Sequence, residues 1–121
     1  EDINMINDHL AILSSDDRVR LWHFNDDGSA PRVGTPGFTH DGNIWTLDLS
    51  ESEPKLNMLY KRNFPRKLAF HPHGMYLLRT EDQILVYVIN HAYKEGGERI
   101  EVFSYLTEEG ITHLKYLYSL R

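Results

Sequence analysis

The chain has 121 residues, 40% of them apolar and 26% charged, which is an ordinary globular composition and argues against an intrinsically disordered chain. Its formal net charge is −5, with the acidic residues spread along the chain and no basic block, so a nucleic-acid partner is excluded as the main function. It contains no cysteine, which removes disulfides, zinc–thiolate sites and cysteine nucleophiles from this stretch.

The predicted elements are almost all strands. After a short alternating start at Ile3 and Met5, His9 to Ser14 (HLAILS) reads as a strand and Val19 to Phe24 (VRLWHF) as another. Ile44 to Leu49 places Trp45, Leu47 and Leu49 on one face, and Lys55 to Tyr60 does the same with Leu56, Met58 and Tyr60. Side chains alternate across a strand, so this period of two is its signature. Between them, Pro36 to Asp41 is expected to be a longer loop.

In the second half, Lys67 to Phe70 is predicted as a short strand before a His71-Pro72-His73-Gly74 turn, with Met75 to Arg79 following. Ile84 to Ile89 (ILVYVI) is nearly all apolar, as in a strand covered on both faces. Arg99 to Leu106 alternates again. Ile111 to Leu120 fits a strand by its tyrosines and the preceding Gly110, although Ile111, Leu114 and Leu117 also have helical spacing. Acidic and glycine-rich turns separate these runs, among them Asp26-Asp27-Gly28 and Gly96-Gly97.

A weak internal repeat links HLAILSSDDRVRLWHF to GMYLLRTEDQILVYVI: each is an apolar strand, an acidic turn and a strand with an aromatic. Propeller blades repeat in this way. The expected fold class is therefore all-β, about two four-stranded blades of a propeller, with 1–64 as the first and 65–121 as the second. The aromatic residues Trp22, Trp45, Phe70 and Phe103 are expected in the core between sheets. No run of apolar residues reaches membrane-spanning length, and no Asn-x-Ser/Thr acceptor for glycosylation occurs. A start at Glu1, without methionine, leads us to expect further chain upstream.

Four segments, in order, resemble the paraoxonase/arylesterase family. They are Glu1-Asp2-Ile3 leading into His9 to Ser15; Gly42 to Leu49 followed by Ser50-Glu51-Ser52-Glu53-Pro54; Phe70-His71-Pro72-His73-Gly74; and Val88-Ile89-Asn90-His91 followed by Arg99 to Phe103 and His113-Leu114-Lys115. The family departs from this chain in having Asn where His71 stands and Pro where Ala92 stands, and Leu21 to Gly34 aligns poorly with it. The resemblance implies a six-bladed β-propeller holding two calcium ions, one catalytic and one structural. It implies hydrolysis of lactones, aryl esters and some organophosphate triesters. By the same resemblance Glu1 is a ligand of the catalytic calcium, and Asp2 and the Met75 backbone carbonyl are ligands of the structural one. His73 is implied as general base and His91 as its partner in a histidine dyad. The remaining ligands would lie in blades beyond this stretch, whose absence would leave the isolated chain inactive and prone to aggregate. Secretion, or anchoring on the luminal or extracellular side of a membrane, with membrane or lipoprotein association, is likewise an implication of the family.

The residue chemistry agrees with those roles. Calcium is a hard cation that takes six to eight oxygen ligands. Neighbours on an extended chain point to opposite sides, so adjacent acidic residues can serve two ions. Pro72 and Gly74 can aim the His73 imidazole into a cavity, and histidine titrates near neutrality, as a general base requires. In an arbitrary sequence an acidic pair is a solvated chain end and a turn histidine a surface residue; the ordered motifs favour the functional roles. His9, His23, His40 and His113 are expected to be structural or exposed. Two other functions fit the same strand plan. A non-catalytic paraoxonase-like chaperone or accessory protein would keep the fold without turnover, and a WD-type interaction module would have no use for Glu1-Asp2 or calcium.

Overall fold

The computed structural model describes residues 2–16, 42–92 and 97–121. Among them the structure is all-β, with no helix. The smaller sheet holds four antiparallel strands in sequence order: β1 (Asp2–Met5), β2 (Leu10–Ser15), β3 (Asn43–Asp48) and β4 (Leu56–Met58). The larger sheet holds β6 (Pro72–Arg79), β7 (Ile84–Ala92), β8 (Gly97–Glu108) and β9 (Ile111–Leu120) as an antiparallel meander, with the two-residue β5 (Lys61–Arg62) added parallel to β9. Two successive meanders of this kind are consistent with part of a β-propeller.

Local chemistry fixes the turns. Asn7 folds the β1–β2 connection by accepting the backbone N–H groups of His9 and Leu10 on its Oδ1 at 3.0 and 2.9 Å, as Asx turns do. Thr80 closes the β6–β7 turn, donating its N–H to the Gln83 carbonyl at 2.9 Å and accepting the Gln83 N–H on its hydroxyl. The β8–β9 hairpin turns on Glu109 and Gly110, with φ of 53° and 78°. Positive φ at both central residues is the requirement of the tight hairpin turn whose twist matches its strands.

The core lies between the two sheets. Ile12 and Ile44 from the smaller sheet meet Phe70, Met75, Val86, Val88, Phe103 and Leu114 from the larger one and its leading segment. Phe64, Phe70, Phe103 and Tyr116 form an aromatic cluster with ring centroids 5.3–6.1 Å apart, mostly in the edge-to-face geometry that aromatic quadrupoles favour.

The strand readings hold for β2, β3, β4, β7, β8 and β9, and the strand alternative for Ile111 to Leu120 is the one found. Four readings are corrected. Ile84 to Ile89 is a strand but is not covered on both faces, since Val86 and Val88 are buried while Ile89 is 40% exposed. Lys67 to Phe70 is not a strand; it contains a turn in which the Leu68 N–H reaches the Pro65 carbonyl. His71 to Gly74 is not a tight turn, because the chain enters β6 at Pro72 and bulges between Pro72 and Met75. In β3 the buried face carries Ile44 and Thr46, so Trp45 is only half-buried and outside the core; its indole N–H instead bonds Ser15 Oγ at 2.7 Å, a polar need that draws tryptophan toward a surface. Glu1, Val19 to Phe24 with Trp22 and His23, Pro36 to Asp41 with His40, and the second half of the first repeat unit lie outside the described residues.

Candidate functional site

β6 is the edge strand of the larger sheet, so half of its backbone groups have no ladder partner there and must bond elsewhere. Three of them bond across the seam to the smaller sheet, the Met75 carbonyl accepting from Asn4 Nδ2 at 3.4 Å. The His73 carbonyl accepts the Ser14 hydroxyl at 2.7 Å, and the Met75 N–H donates to Asp2 Oδ2 at 2.8 Å. Ser14 Oγ also accepts the Asp2 N–H at 2.9 Å, so Asp2, Ser14, His73 and Met75 form one connected group. The Met75 N–H, seconded by that of Ile3, stabilises the Asp2 carboxylate and holds its pKa below the ordinary carboxyl value.

His73 and His91 come together at this seam. Their ring centroids are 5.1 Å apart with planes inclined at 54°. Both imidazoles are partly buried, His73 at the bulge of β6 and His91 near the end of β7. On its Nδ1 side His91 meets Glu98 Oε1 at 2.8 Å, from the directly opposed position on β8.

A buried polar network sets the backbone beneath this pair. Asn90, with no exposed surface, accepts the His71 N–H on Oδ1 at 2.7 Å and donates from Nδ2 to the Ala69 carbonyl at 2.8 Å and to Glu101 Oε2 at 2.9 Å. Glu101, also fully buried, is met by Arg99 at 3.3 Å and by the Ser119 hydroxyl, which is itself 2.6 Å from Tyr116 OH. The His91 N–H closes the link by donating to the His71 carbonyl at 3.0 Å. Because side chains alternate along a strand, Asn90 can face this network while His91 faces the other way, beside His73. Burial of an ion pair is costly unless its hydrogen bonds are met, and here they tie the segment leading to His73 onto β7.

His71 takes a different partner. Its Nδ1 lies 3.2 Å from Asp16 Oδ1, and the Asp16 side chain is 1% exposed. This pair spans the seam beside Gly42, where the backbones approach so closely that an added Cβ would sit 2.3 Å from the Ser15 carbonyl oxygen and 2.6 Å from Pro72 Cδ.

Of the five residues predicted for the site, the structure brings His73 to His91 and Asp2 to Met75, with the His73 carbonyl and Met75 N–H joined to the same Ser14–Asp2 group. Glu1 lies outside the described residues. Sequence reading missed Ser14, Asp16, Glu98 and Glu101. Glu101 could have been found, since two opposite charges spaced by two in an apolar strand, Arg99 and Glu101, must share one face. The others depend on contacts across the seam or across a hairpin, which carry no local signal.

The fit to a calcium ion can be judged from Asp2 and Met75. Asn4 Nδ2 donates both to Asp2 Oδ2, at 3.3 Å, and to the Met75 carbonyl, at 3.4 Å. Two hard oxygens, one of them anionic, thus converge on a single electropositive centre, which is the donor chemistry calcium takes. Among the described residues no group of three or more acidic, histidine or cysteine side chains forms a metal site, so these residues would supply only part of a shell.

Comparison with known proteins gives a consistent result. The family model described as "Arylesterase" matches residues 26–121. The chain is 28% identical over 119 residues to "Serum paraoxonase/lactonase 3" of Oryctolagus cuniculus, covering 95% of this chain and 29% of that protein. It is 28% identical to the Homo sapiens protein of the same name, over all of this chain and 30% of the relative. It is also 28% identical to "Serum paraoxonase/arylesterase 2" of Gallus gallus, over 95% of this chain and 29% of the relative. The chain therefore spans less than a third of the length of these curated relatives.

Proposed function

The chain belongs to the arylesterase family, and from that premise we propose that it forms part of a calcium-dependent hydrolase acting on aryl esters and lactones, with organophosphate triesters as a further substrate class. The observation that carries this reading is the meeting of His73 and His91, ring centroids 5.1 Å apart, on the same seam as the Asp2 carboxylate and Met75 carbonyl oxygens that Asn4 bridges.

In this reading Asp2 and the Met75 carbonyl hold the structural calcium, and Glu1 is a ligand of the catalytic one. When bound, calcium supplies a hard cation that stabilises negative charge on a carbonyl or phosphoryl oxygen. The chain's own part is proton transfer and positioning. His73 takes the proton of the attacking water on a ring nitrogen, and His91 holds that ring in place from the adjacent strand. The Asn90–Glu101 network keeps the His71–His73 backbone from shifting, which matters because misplacement by about 1 Å can cost a hundredfold in rate. The word "serum" in the relatives' names supports an extracellular setting, secreted or held on the outer or luminal face of a membrane or lipoprotein.

The test is lactone and aryl-ester hydrolysis by the intact protein, with calcium or with a chelator, beside a His73→Gln variant. The expected result is activity that is lost on chelation and falls by roughly a hundredfold or more in the variant, the usual range for removing a general base. Calcium-dependent turnover untouched by the substitution would remove His73 as base. No turnover, despite calcium-stabilised folding, would favour a non-catalytic relative.

A further inference from the structure

We propose that Glu98 is a positioning residue of the histidine pair, fixing His91 as the tautomer that carries its proton on Nδ1. The role in catalysis rests on the hydrolase reading above; the tautomer does not.

His91 and Glu98 are directly opposed on β7 and β8, and Nδ1 to Oε1 is 2.8 Å. A carboxylate accepts hydrogen bonds and donates none, so the proton in that contact belongs to Nδ1. The two ring nitrogens of a neutral imidazole divide the roles of donor and acceptor, and the bond made by one assigns the other. Nε2 of His91 then carries the lone pair, the state in which it can accept a proton or a hydrogen bond. The same division orients the histidine in carboxylate–histidine–nucleophile triads.

Glu98 is well separated in role from its neighbour Glu101. Cross-strand alternation sends Asn90 and Arg99 to the buried face, where Glu101 lies, and His91 and Glu98 to the opposite face. The Glu98 side chain is 67% exposed, whereas that of His91 is 18% exposed. A solvated carboxylate therefore reaches a mostly covered imidazole, and removing it leaves the core intact. A surface ion pair adds little stability, so any effect of Glu98 will be seen in the state of His91 and not in folding.

The experiment compares the intact protein with Glu98→Ala and Glu98→Gln variants, each labelled with 15N-histidine. Proton–nitrogen correlation spectra above neutral pH distinguish a protonated ring nitrogen from a bare one, and His91 is assigned by the resonance lost in a His91→Gln variant. The expected wild-type pattern is a protonated Nδ1 and a bare Nε2. The Ala variant should move toward the form protonated on Nε2. The Gln variant, whose amide oxygen still accepts, should keep the wild-type pattern. In parallel, kcat should fall about tenfold in the Ala variant with KM within twofold, in line with the lower end of losses when an outer partner of a functional histidine is removed, and the Gln variant should recover most of it. A His91 protonated on Nε2 in the unsubstituted protein, or ring spectra unchanged in the Ala variant, would overturn the proposal. A shifted tautomer with unchanged kcat would overturn its catalytic half. Failure of the hydrolase reading shows separately, as no turnover by the unsubstituted protein, while the spectra still decide the tautomer.

Discussion

The two sheets divide the labour unequally. The larger one has, beside the two-residue β5, strands of 8, 9, 12 and 10 residues, contains the aromatic cluster with its leading segment, and brings the two histidines together. The smaller one has strands of 3–6 residues, ends in an exposed β4, and gives fewer side chains to the core. Yet its first two strands supply Asp2 and Ser14, and Asp16 follows directly, so every described acidic group bonded to the His71–Met75 segment comes from this side. The larger sheet provides rigidity, both imidazoles and the Glu98 carboxylate beside His91; the smaller one provides the carboxylates that meet the His71–Met75 segment and is held in place by them. Stability and site chemistry are therefore separable by mutation.

The largest effect is expected in the aromatic cluster. Phe103 is fully buried and its ring lies 5.9–6.1 Å from those of Phe64, Phe70 and Tyr116. Phe103→Ala should destabilise the intact protein by about 3–5 kcal/mol, read from denaturant midpoints. On the smaller sheet, Trp45→Phe removes one half-exposed hydrogen bond to Ser15 and should cost only about 1 kcal/mol. Equal losses at the two positions would break the comparison.

A middle-sized effect is expected where the sheets touch. In Gly42→Ala the new Cβ meets the Ser15 carbonyl oxygen at 2.3 Å, Pro72 Cδ at 2.6 Å and Asp16 Cα at 3.1 Å. These are backbone and ring atoms that cannot swing aside, so the strands must separate, at about 1–3 kcal/mol. The strain falls on Asp16 and Pro72, next to His71 and His73. Hydrolysis should therefore fall by more than the folded fraction does. Activity that simply tracks the folded fraction would show that the seam can spread without moving the histidines.

The fold was legible in the sequence where period and turn chemistry act locally. IWTLDL, RIEVFSYL and the Gly110 hairpin declare themselves because alternation and positive φ are properties of neighbours in the chain. The face of β3 was not legible, because Trp45 outranks Ile44 and Thr46 in apolar area but also needs a partner for its N–H. The Pro72–Met75 bulge was not legible either: a Pro-His-Gly run signals a turn, and it is held extended by partners distant in sequence, among them the Asn90 side chain, the Ser14 hydroxyl and the Asp2 carboxylate. His73 and His91 were legible through motif resemblance alone. Glu98 was not, since its partner lies across a hairpin.

The smallest expected effect concerns the acid limb of stability, and it tests whether Asp2 fastens the smaller sheet to the larger. The Met75 N–H lowers the pKa of the folded Asp2 carboxyl, whereas in the unfolded chain it titrates at the ordinary carboxyl value of about 3.9. Between those two values the unfolded state binds the proton and the folded state does not, so protonation favours unfolding. The contribution is fully present above the ordinary value and is lost as pH falls through the lower, folded one. An Asp2→Asn variant keeps an acceptor for the Met75 N–H but cannot titrate. In chelator-containing buffer, its midpoint of unfolding should therefore decline less steeply than the wild type's below about pH 4. Parallel acid limbs would mean that the Asp2–Met75 bond contributes nothing to the junction in the absence of metal. The junction would then depend on its other ties, among them the Ser14 hydroxyl on the His73 carbonyl, the Gly42 N–H on the Phe70 carbonyl and the His71–Asp16 pair.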